Sequence, residues 1–188
     1  TGVPTLYEAL LKTKLRRNEL SSLACVVSGG DTLTPAFKTK VDEFLKKHGS
    51  KAQIRCGYGL TECTAASCLN PINEYRENSI GIPMPDTKYK IVKIGTFDRA
   101  KTMEDGEICI SGPTVMKGYL NNPEATNAMV RMHADGKLWV HTDDLGYMDE
   151  DGRIYHQGRA KRMLTRSGGK VWLGTIENVI KSHDMVDD

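Results

Sequence analysis

Gly57-Tyr58-Gly59-Leu60-Thr61-Glu62 sets two glycines, an aromatic ring, a hydroxyl and a carboxylate side by side. Residues 52–56 before it read as a strand, so residues 57–62 are expected as a glycine-rich turn at that strand's C-terminal end. Glycine lets backbone N–H groups approach a ligand closely and tolerates positive φ. The Tyr58 ring offers a face for a purine, as aromatics do for bases. The Thr61 hydroxyl can donate to a phosphate oxygen, and the Glu62 carboxylate suits a hard cation such as Mg²⁺. Open α/β sheets place ligands at the C-terminal ends of their strands, so the stretch reads as a nucleotide, phosphate and metal site. Taken by itself it is equally a glycine turn carrying a surface Thr-Glu pair.

The residues upstream complete the unit. Leu23-Ala24-Cys25-Val26-Val27-Ser28 is a short apolar run ending in Gly29-Gly30-Asp31, as strands buried on both faces of a parallel sheet are. Thr34 is an N-cap and Pro35 the first residue of a helix reaching about Lys47, with Gly49 ending it. Strand, helix and strand 52–56 make a βαβ unit, whose crossover is right-handed. Both strands then end on one edge of the sheet, which sets Gly29, Gly30 and Asp31 beside residues 57–62 and makes a cleft. Residues 5–17 read as an amphipathic helix with a packing role only.

From Asn78 the pattern changes to short alternating runs at 88–93 and 107–111, with Ile108 and Ile110 opposite in sense to Glu107 and Cys109. A helix is expected over 123–132 and further strands at 137–141, 146–148 and 153–156, with Asp151-Gly152 a hairpin turn. The fold class is therefore α/β followed by α+β. It comprises the end of a parallel βαβ subdomain, a small antiparallel β layer or barrel, and the start of a small C-terminal domain. Thr142-Asp143-Asp144-Leu145-Gly146 reads as a turn whose carboxylate, Asp144, suits paired ribose hydroxyls. An isolated Asp-Asp pair is more often a solvated acidic turn. Gly158-Arg159-Ala160-Lys161-Arg162 carries three cations that serve phosphates or face solvent. Gly168-Gly169 suggests a turn, followed by a strand at 170–173 and a helix over 174–182.

Composition sets the bounds. The 188 residues carry a net charge of +2, with no basic nucleic-acid arm and no acidic tail. No apolar run approaches the ~20 residues of a membrane helix. The five cysteines, Cys25, Cys56, Cys63, Cys68 and Cys109, contain no CxxC pair, so reduced cytosolic thiols are expected and zinc is not. Cys56 and Cys63 have no base nearby in sequence, and His133 and His141 are expected to be structural or solvated. Thr1 is not an initiator Met, and the chain is expected to be part of a longer one.

Several segments, in order, carry a resemblance. They are residues 3–11, Ser28-Gly29-Gly30-Asp31, residues 57–62 as a YGxTE signature, and Gly106-Glu107-Ile108-Cys109-Ile110-Ser111-Gly112-Pro113 with Met116 and Gly118-Tyr119-Leu120. Thr142 to Gly146 is similar to TGDLG, and Gly158 to Arg162 to a GRxKD-type hinge. Together they resemble the adenylate-forming superfamily of acyl-CoA synthetases, peptide-synthetase adenylation domains and luciferases. The resemblance implies that ATP, Mg²⁺ and coenzyme A take part. Gly29, Gly30 and Asp31 would lie against adenine, with Gly57, Tyr58, Gly59 and Leu60 continuing the site and Tyr58 stacking on the base. Thr61 would bind the α-phosphate and Glu62 would hold Mg²⁺, these two being the catalytic pair. Asp144 would accept the ribose hydroxyls and Arg159 would reach ribose or phosphate. Residues 1–161 would end the large domain (1–77 α/β, 78–161 mostly β), and 162–188 would begin the small mobile one, hinged at Lys161–Arg162. Lys170-Val171 would line the thiol tunnel.

The resemblance further implies a carboxylic acid as substrate. The reduced thiols point to a cytoplasmic location, and the charge and apolar runs to no nucleic acid and no transmembrane segment; a homodimer stays open. The family's Ser/Thr/Gly-rich phosphate loop and its C-terminal lysine are not found in the sequence, so the 188 residues by themselves are expected to be inactive. Asp143 stands where the family has glycine, Arg162 where the hinge usually has Asp, and Leu173 where Pro is usual. Acetyl- and propionyl-activating members carry Trp at the position of Gly59, so glycine suggests a medium- or long-chain fatty acid or an aryl acid. Loading of a carrier-protein thiol, or nucleotide binding without turnover, are the alternatives.

Overall fold

The computed structural model describes residues 1–166, 169–181, 183 and 185–186. It opens with α1 (Pro4–Leu11), β1 (Val26–Ser28), α2 (Pro35–Lys47) and β2 (Ile54–Leu60). α1 is shorter than the 5–17 expected, because a C-cap at Lys12 ends it. α2 forms where its signals place it. The Thr34 hydroxyl accepts from the Phe37 N–H at 3.3 Å, Pro35 needs no donor at the first turn, and Gly49 leaves the helix at φ +91°. β1 and β2 pair in parallel, Ser28 opposite Cys56, as a βαβ unit requires. Tyr7, Val26, Leu33, Val41, Leu45 and Ile54 close the core between helices and sheet.

β2 does not stop at Cys56. It runs through Gly57 to Leu60, turns in a single 3₁₀ turn at Thr61–Cys63, and returns as the antiparallel β3 (Ala65–Leu69). The expected glycine-rich turn over 57–62 is thus a strand with a turn only at its last two residues. The return is tight. Thr64 and Ala65 both take positive φ, +57° and +78°, a conformation costing non-glycine residues about 1–3 kcal/mol each. β4 (Ile82–Pro83) completes a sheet in the order β1-β2-β3-β4.

The second layer holds β5 (Lys88–Val92), β6 (Gly106–Ser111), α3 (Pro123–Met129), β7 (Val130–Met132), β8 (Leu138–Met148) and β9 (Ile154–Arg159). Its strands pair β5-β6-β8-β7, with β9 also on β8. Among the described residues it is an open layer, not a closed barrel. The separate strands expected at 137–141 and 146–148 are one 11-residue strand, so residues 142–146 lie inside a strand and not in a turn. The helix expected to 132 ends at Met129, and β7 begins at Val130. Asp151-Gly152 is the hairpin turn expected, with Gly152 at φ +77°. Ile154 exchanges hydrogen bonds with residues 80 and 81, at 2.9 Å each, and so stitches the two layers.

The alternation read at 107–111 holds. Ile108 and Ile110 are fully buried with Cys63, Cys68, Tyr89, Val140 and Ile154 between the layers, each apolar side chain contributing roughly 1.5–3 kcal/mol. Cys109 packs with Val92 and Trp139 in a separate cluster. A short two-stranded sheet, β10 (Met163–Arg166) with β11 (Gly169–Trp172), and α4 (Leu173–Lys181) follow. Gly168 of the expected turn and Ser182 of the expected helix lie outside the described residues.

Candidate functional site

β2 and β8 bring the sequence-distant candidates together. The Tyr58 hydroxyl donates to Asp144 Oδ2 at 2.6 Å. Arg159, opposite Asp144 in the β8–β9 ladder, sets its Nε 3.3 Å from Oδ1. His156 Nε2 stands 3.4 Å from the same oxygen, and its ring tilts against that of Tyr58, centroids 5.7 Å apart. Asp144 is 5% exposed. Burial pulls its carboxyl up, but the contacts of His156 and Tyr58 and the charge of Arg159 outweigh it and hold the group below the usual aspartate range. The same burial, with Asp144 beside it, pushes the Tyr58 phenol well above its ordinary value. The site therefore holds an ionised carboxylate and a neutral phenol.

Gly29 lies against β2: a Cβ there would stand 3.2 Å from the Gly57 carbonyl oxygen. That much of the expected cleft forms. Gly30 turns at φ +81° toward Val3, and Asp31 accepts from the Thr32 N–H at 2.7 Å. Ser28, at the end of β1, is fully buried and its hydroxyl has no hydrogen-bond partner among the described residues. A hydroxyl at a strand end and an exposed guanidinium that donate, an ionised carboxylate that accepts, and an aromatic ring that stacks are groups that fit an adenine nucleotide.

Thr61 and Glu62 sit at the β2–β3 turn, Thr61 exposed and Glu62 half-buried. Tyr119 donates its hydroxyl to Glu62 Oε1 at 2.5 Å, which pushes that phenol up to about 12. The Met116 N–H donates to the Glu62 carbonyl at 2.8 Å, and Thr64 Oγ1 donates to the Thr114 carbonyl, also at 2.8 Å. The segment after β6 thus clasps the turn and aims its carboxylate. Glu62, with its hard oxygen ligands, is the residue here that could hold Mg²⁺.

Gly59 has a structural reason other than the one expected. A Cβ there would stand 1.8 Å from the Ala65 carbonyl oxygen, so the backbone of β3 occupies the space. A side chain at this position therefore requires the β3 backbone to shift. Asp143, at the family-like glycine position, takes φ +58°, a region Asp tolerates better than most residues. Sequence reading missed His156 and Tyr119. The alternation through β9 could have put His156 and Asp144 on one patch, whereas nothing in the residues pointed Tyr119 at Glu62.

The AMP-binding enzyme family model matches residues 1–120. The chain belongs to the AMP-binding enzyme family. Among relatives, a long-chain-fatty-acid–CoA ligase of Salmonella typhimurium is 37% identical over 190 residues, covering 100% of this chain and 32% of the relative. A luciferin 4-monooxygenase of Photinus pyralis is 34% identical over 187 residues, covering 99% and 32%. Among AMP-binding enzymes of known structure, the O-succinylbenzoate coenzyme A synthetase of Bacillus subtilis in complex with ATP and magnesium ion superposes with a TM-score of 0.80. It is 27% identical and covers 99% of this chain and 36% of that one. The chain spans about a third of the length of the curated relatives it matches.

Proposed function

We propose that the protein carrying this chain is an ATP-dependent ligase that joins a carboxylic acid to coenzyme A. The observation that carries the reading is the meeting of Tyr58, Asp144 and Arg159, with Tyr58 and Asp144 86 residues apart in sequence, inside a chain of the AMP-binding family. The acid carboxylate attacks the α-phosphorus of ATP and pyrophosphate leaves. The thiol sulfur then attacks the acyl carbon, AMP leaves with the bonding electrons, and the thiol proton is released.

In this reading the Tyr58 ring carries adenine, with Gly29, Gly30 and Asp31 along its edge. Asp144 accepts the ribose hydroxyls, and Arg159 balances its charge while reaching ribose or phosphate. Thr61 donates to the α-phosphate, and Tyr119 holds the Glu62 carboxylate in one orientation. Mg²⁺, held at Glu62, supplies charge neutralisation on the phosphates. Residues 1–161 close the large domain and 162–188 open a second unit. The separate β10–β11 sheet after the 160–162 turn supports that division. Long-chain fatty acids, named for one relative, and aryl acids such as the O-succinylbenzoate named for another make the first panel. Such a ligase works in the cytoplasm, where ATP and coenzyme A are supplied.

The test is acid-dependent pyrophosphate exchange on the whole protein across straight-chain fatty and aryl acids, followed by coenzyme A. Exchange followed by thioester formation is the expected result, with no exchange from the 188 residues alone. Exchange with no transfer to coenzyme A points to a carrier-protein thiol. No exchange with any acid overturns the reading.

A further inference from the structure

β6 and β8 assemble a second constellation, apart from the nucleotide residues. Cys109 and His141 are opposite one another in the ladder, with Cys109 Sγ 3.7 Å from His141 Nδ1. Glu107 Oε2 lies 2.8 Å from the same nitrogen, and the three donor atoms are all within 4.8 Å of one another. Cys109 is 0% and His141 4% exposed. The other ring nitrogen of His141, Nε2, is 2.8 Å from Nε2 of the buried His133. The other oxygen of Glu107 accepts from the Asp143 N–H at 3.1 Å. Phe97 stands edge-on to both imidazoles, centroids 4.8 and 5.6 Å away.

A hydrogen-bond chain from His133 through His141 to Glu107 accounts for the two imidazoles and the carboxylate. It leaves two polar features unexplained, beyond the packing of Cys109 against Val92 and Trp139. Cys109 points its sulfur at a nitrogen that Glu107 already engages, and His133 Nδ1 is buried without a hydrogen-bond partner among the described residues. A metal ion accounts for the sulfur. Thiolate, imidazole and carboxylate are the zinc ligand set, with Zn–S near 2.3 Å and Zn–N and Zn–O near ~2.0–2.2 Å. A tetrahedral shell of those bond lengths sets its N and O atoms roughly 3.3–3.6 Å apart. The Cys109–His141 separation fits as it stands, the Glu107–His141 contact has to open by about half an ångström, and the Glu107–Cys109 pair, within 4.8 Å, has to settle at about 3.6 Å.

The surroundings are those of ligands held by partners. A metal-bound histidine donates its remaining N–H to a neighbouring acceptor, and a ligating carboxylate is itself hydrogen-bonded. With a metal on Nδ1, His141 donates from Nε2 to His133, and Glu107 keeps its second oxygen on the Asp143 N–H. We propose that Glu107, Cys109 and His141 form a zinc site with three protein ligands and one open position, oriented by His133 and the Asp143 backbone. On binding, Cys109 gives up its thiol proton to solvent and the metal clamps β6 to β8, one residue from the Asp143–Asp144 step. Cysteine spacing cannot show such a site, because its ligands come from strands 34 residues apart.

The experiment uses the whole protein, stripped with a chelator, dialysed against Zn²⁺ or Co²⁺ and desalted. About one zinc per chain is expected to survive, and the cobalt form is expected to show a thiolate-to-metal charge-transfer band. Cys109→Ala should abolish both. His133→Phe, which keeps all three ligands, should weaken zinc about 10–100-fold. Wild-type protein that retains no zinc, or zinc retained equally by Cys109→Ala, overturns the site and leaves the hydrogen-bond chain as the whole account. Should Cys109→Ala lose its circular-dichroism fold, X-ray absorption on the wild-type zinc form decides, since a metal with no sulfur neighbour excludes Cys109.

Discussion

Tyr58 and Asp144 share a hydrogen bond of 2.6 Å that joins the β2–β3 hairpin to the centre of β8. It does two jobs with one proton. With His156 and Arg159 it offsets the burial of the carboxylate, and it fixes the aromatic ring beside that carboxylate. Tyr58→Phe keeps the ring and removes the donor. A buried acceptor left without its partner costs about 1–3 kcal/mol, so urea denaturation should show a loss in that range. An unchanged midpoint with an unchanged slope would mean that water or another group replaces the hydroxyl.

Acid stability follows from the same carboxylate. The Asp144 value is lowered in the folded chain from its ordinary 3.8, so its contribution is present in full above that value and is lost as pH falls through the lower folded value. Glu107, where burial is outweighed by His141, is lowered from 4.5 in the same way. Asp144→Asn should therefore reduce stability at neutral pH and flatten the decline below about pH 4. A decline as steep as that of the parent chain would assign the acid sensitivity to other carboxylates.

The backbone at Asp143 gives a prediction of opposite sign for two substitutions. At φ +58°, Asp143→Val should cost about 1–3 kcal/mol, since a β-branched side chain is strained there. Asp143→Gly should be neutral or stabilising, its exposed contact with Lys161 being worth little. Thermal midpoints of the pair check this, and a destabilised glycine variant would contradict it.

On the proposed reaction, Thr61→Ala or Glu62→Gln in the whole enzyme removes a group aimed at developing charge on phosphorus. Loss of one such donor costs ~10²–10³-fold in rate, to be read as pyrophosphate exchange at saturating ATP. Tyr119→Phe should fall between these variants and wild type, because it frees the Glu62 carboxylate without removing it. An unchanged exchange rate in all three would remove the turn from the chemistry.

Much of the first layer was legible because its signals are local. Thr34, Pro35 and Gly49 each act on their own turn of chain, so α2 lies where residue chemistry sets it. The β2–β3 hairpin was not legible. Ala65 to Leu69 has no β-branched residue, and Gly57 and Gly59 read as breakers, while the pairing that makes them strand residues is tertiary. β8 was hidden likewise: Asp-Asp-Leu-Gly reads as a turn, yet β6 and β9 pair with it from both sides and carry it through a bulge. Of the expected site residues, Tyr58 and Arg159 both contact Asp144. His156 and Tyr119 join only through the strands and loops that deliver them.

Gly59→Ala ought to lower the yield of folded protein, since an overpacked contact costs about 1–3 kcal/mol and here the neighbour that must shift is the Ala65 backbone. The consequence reaches directed evolution. In a saturation library scored by turnover on competing acids, position 59 would stand out as intolerant and be taken for a selectivity determinant. A parallel screen for soluble expression would separate loss of the fold from a change of acid preference at that position.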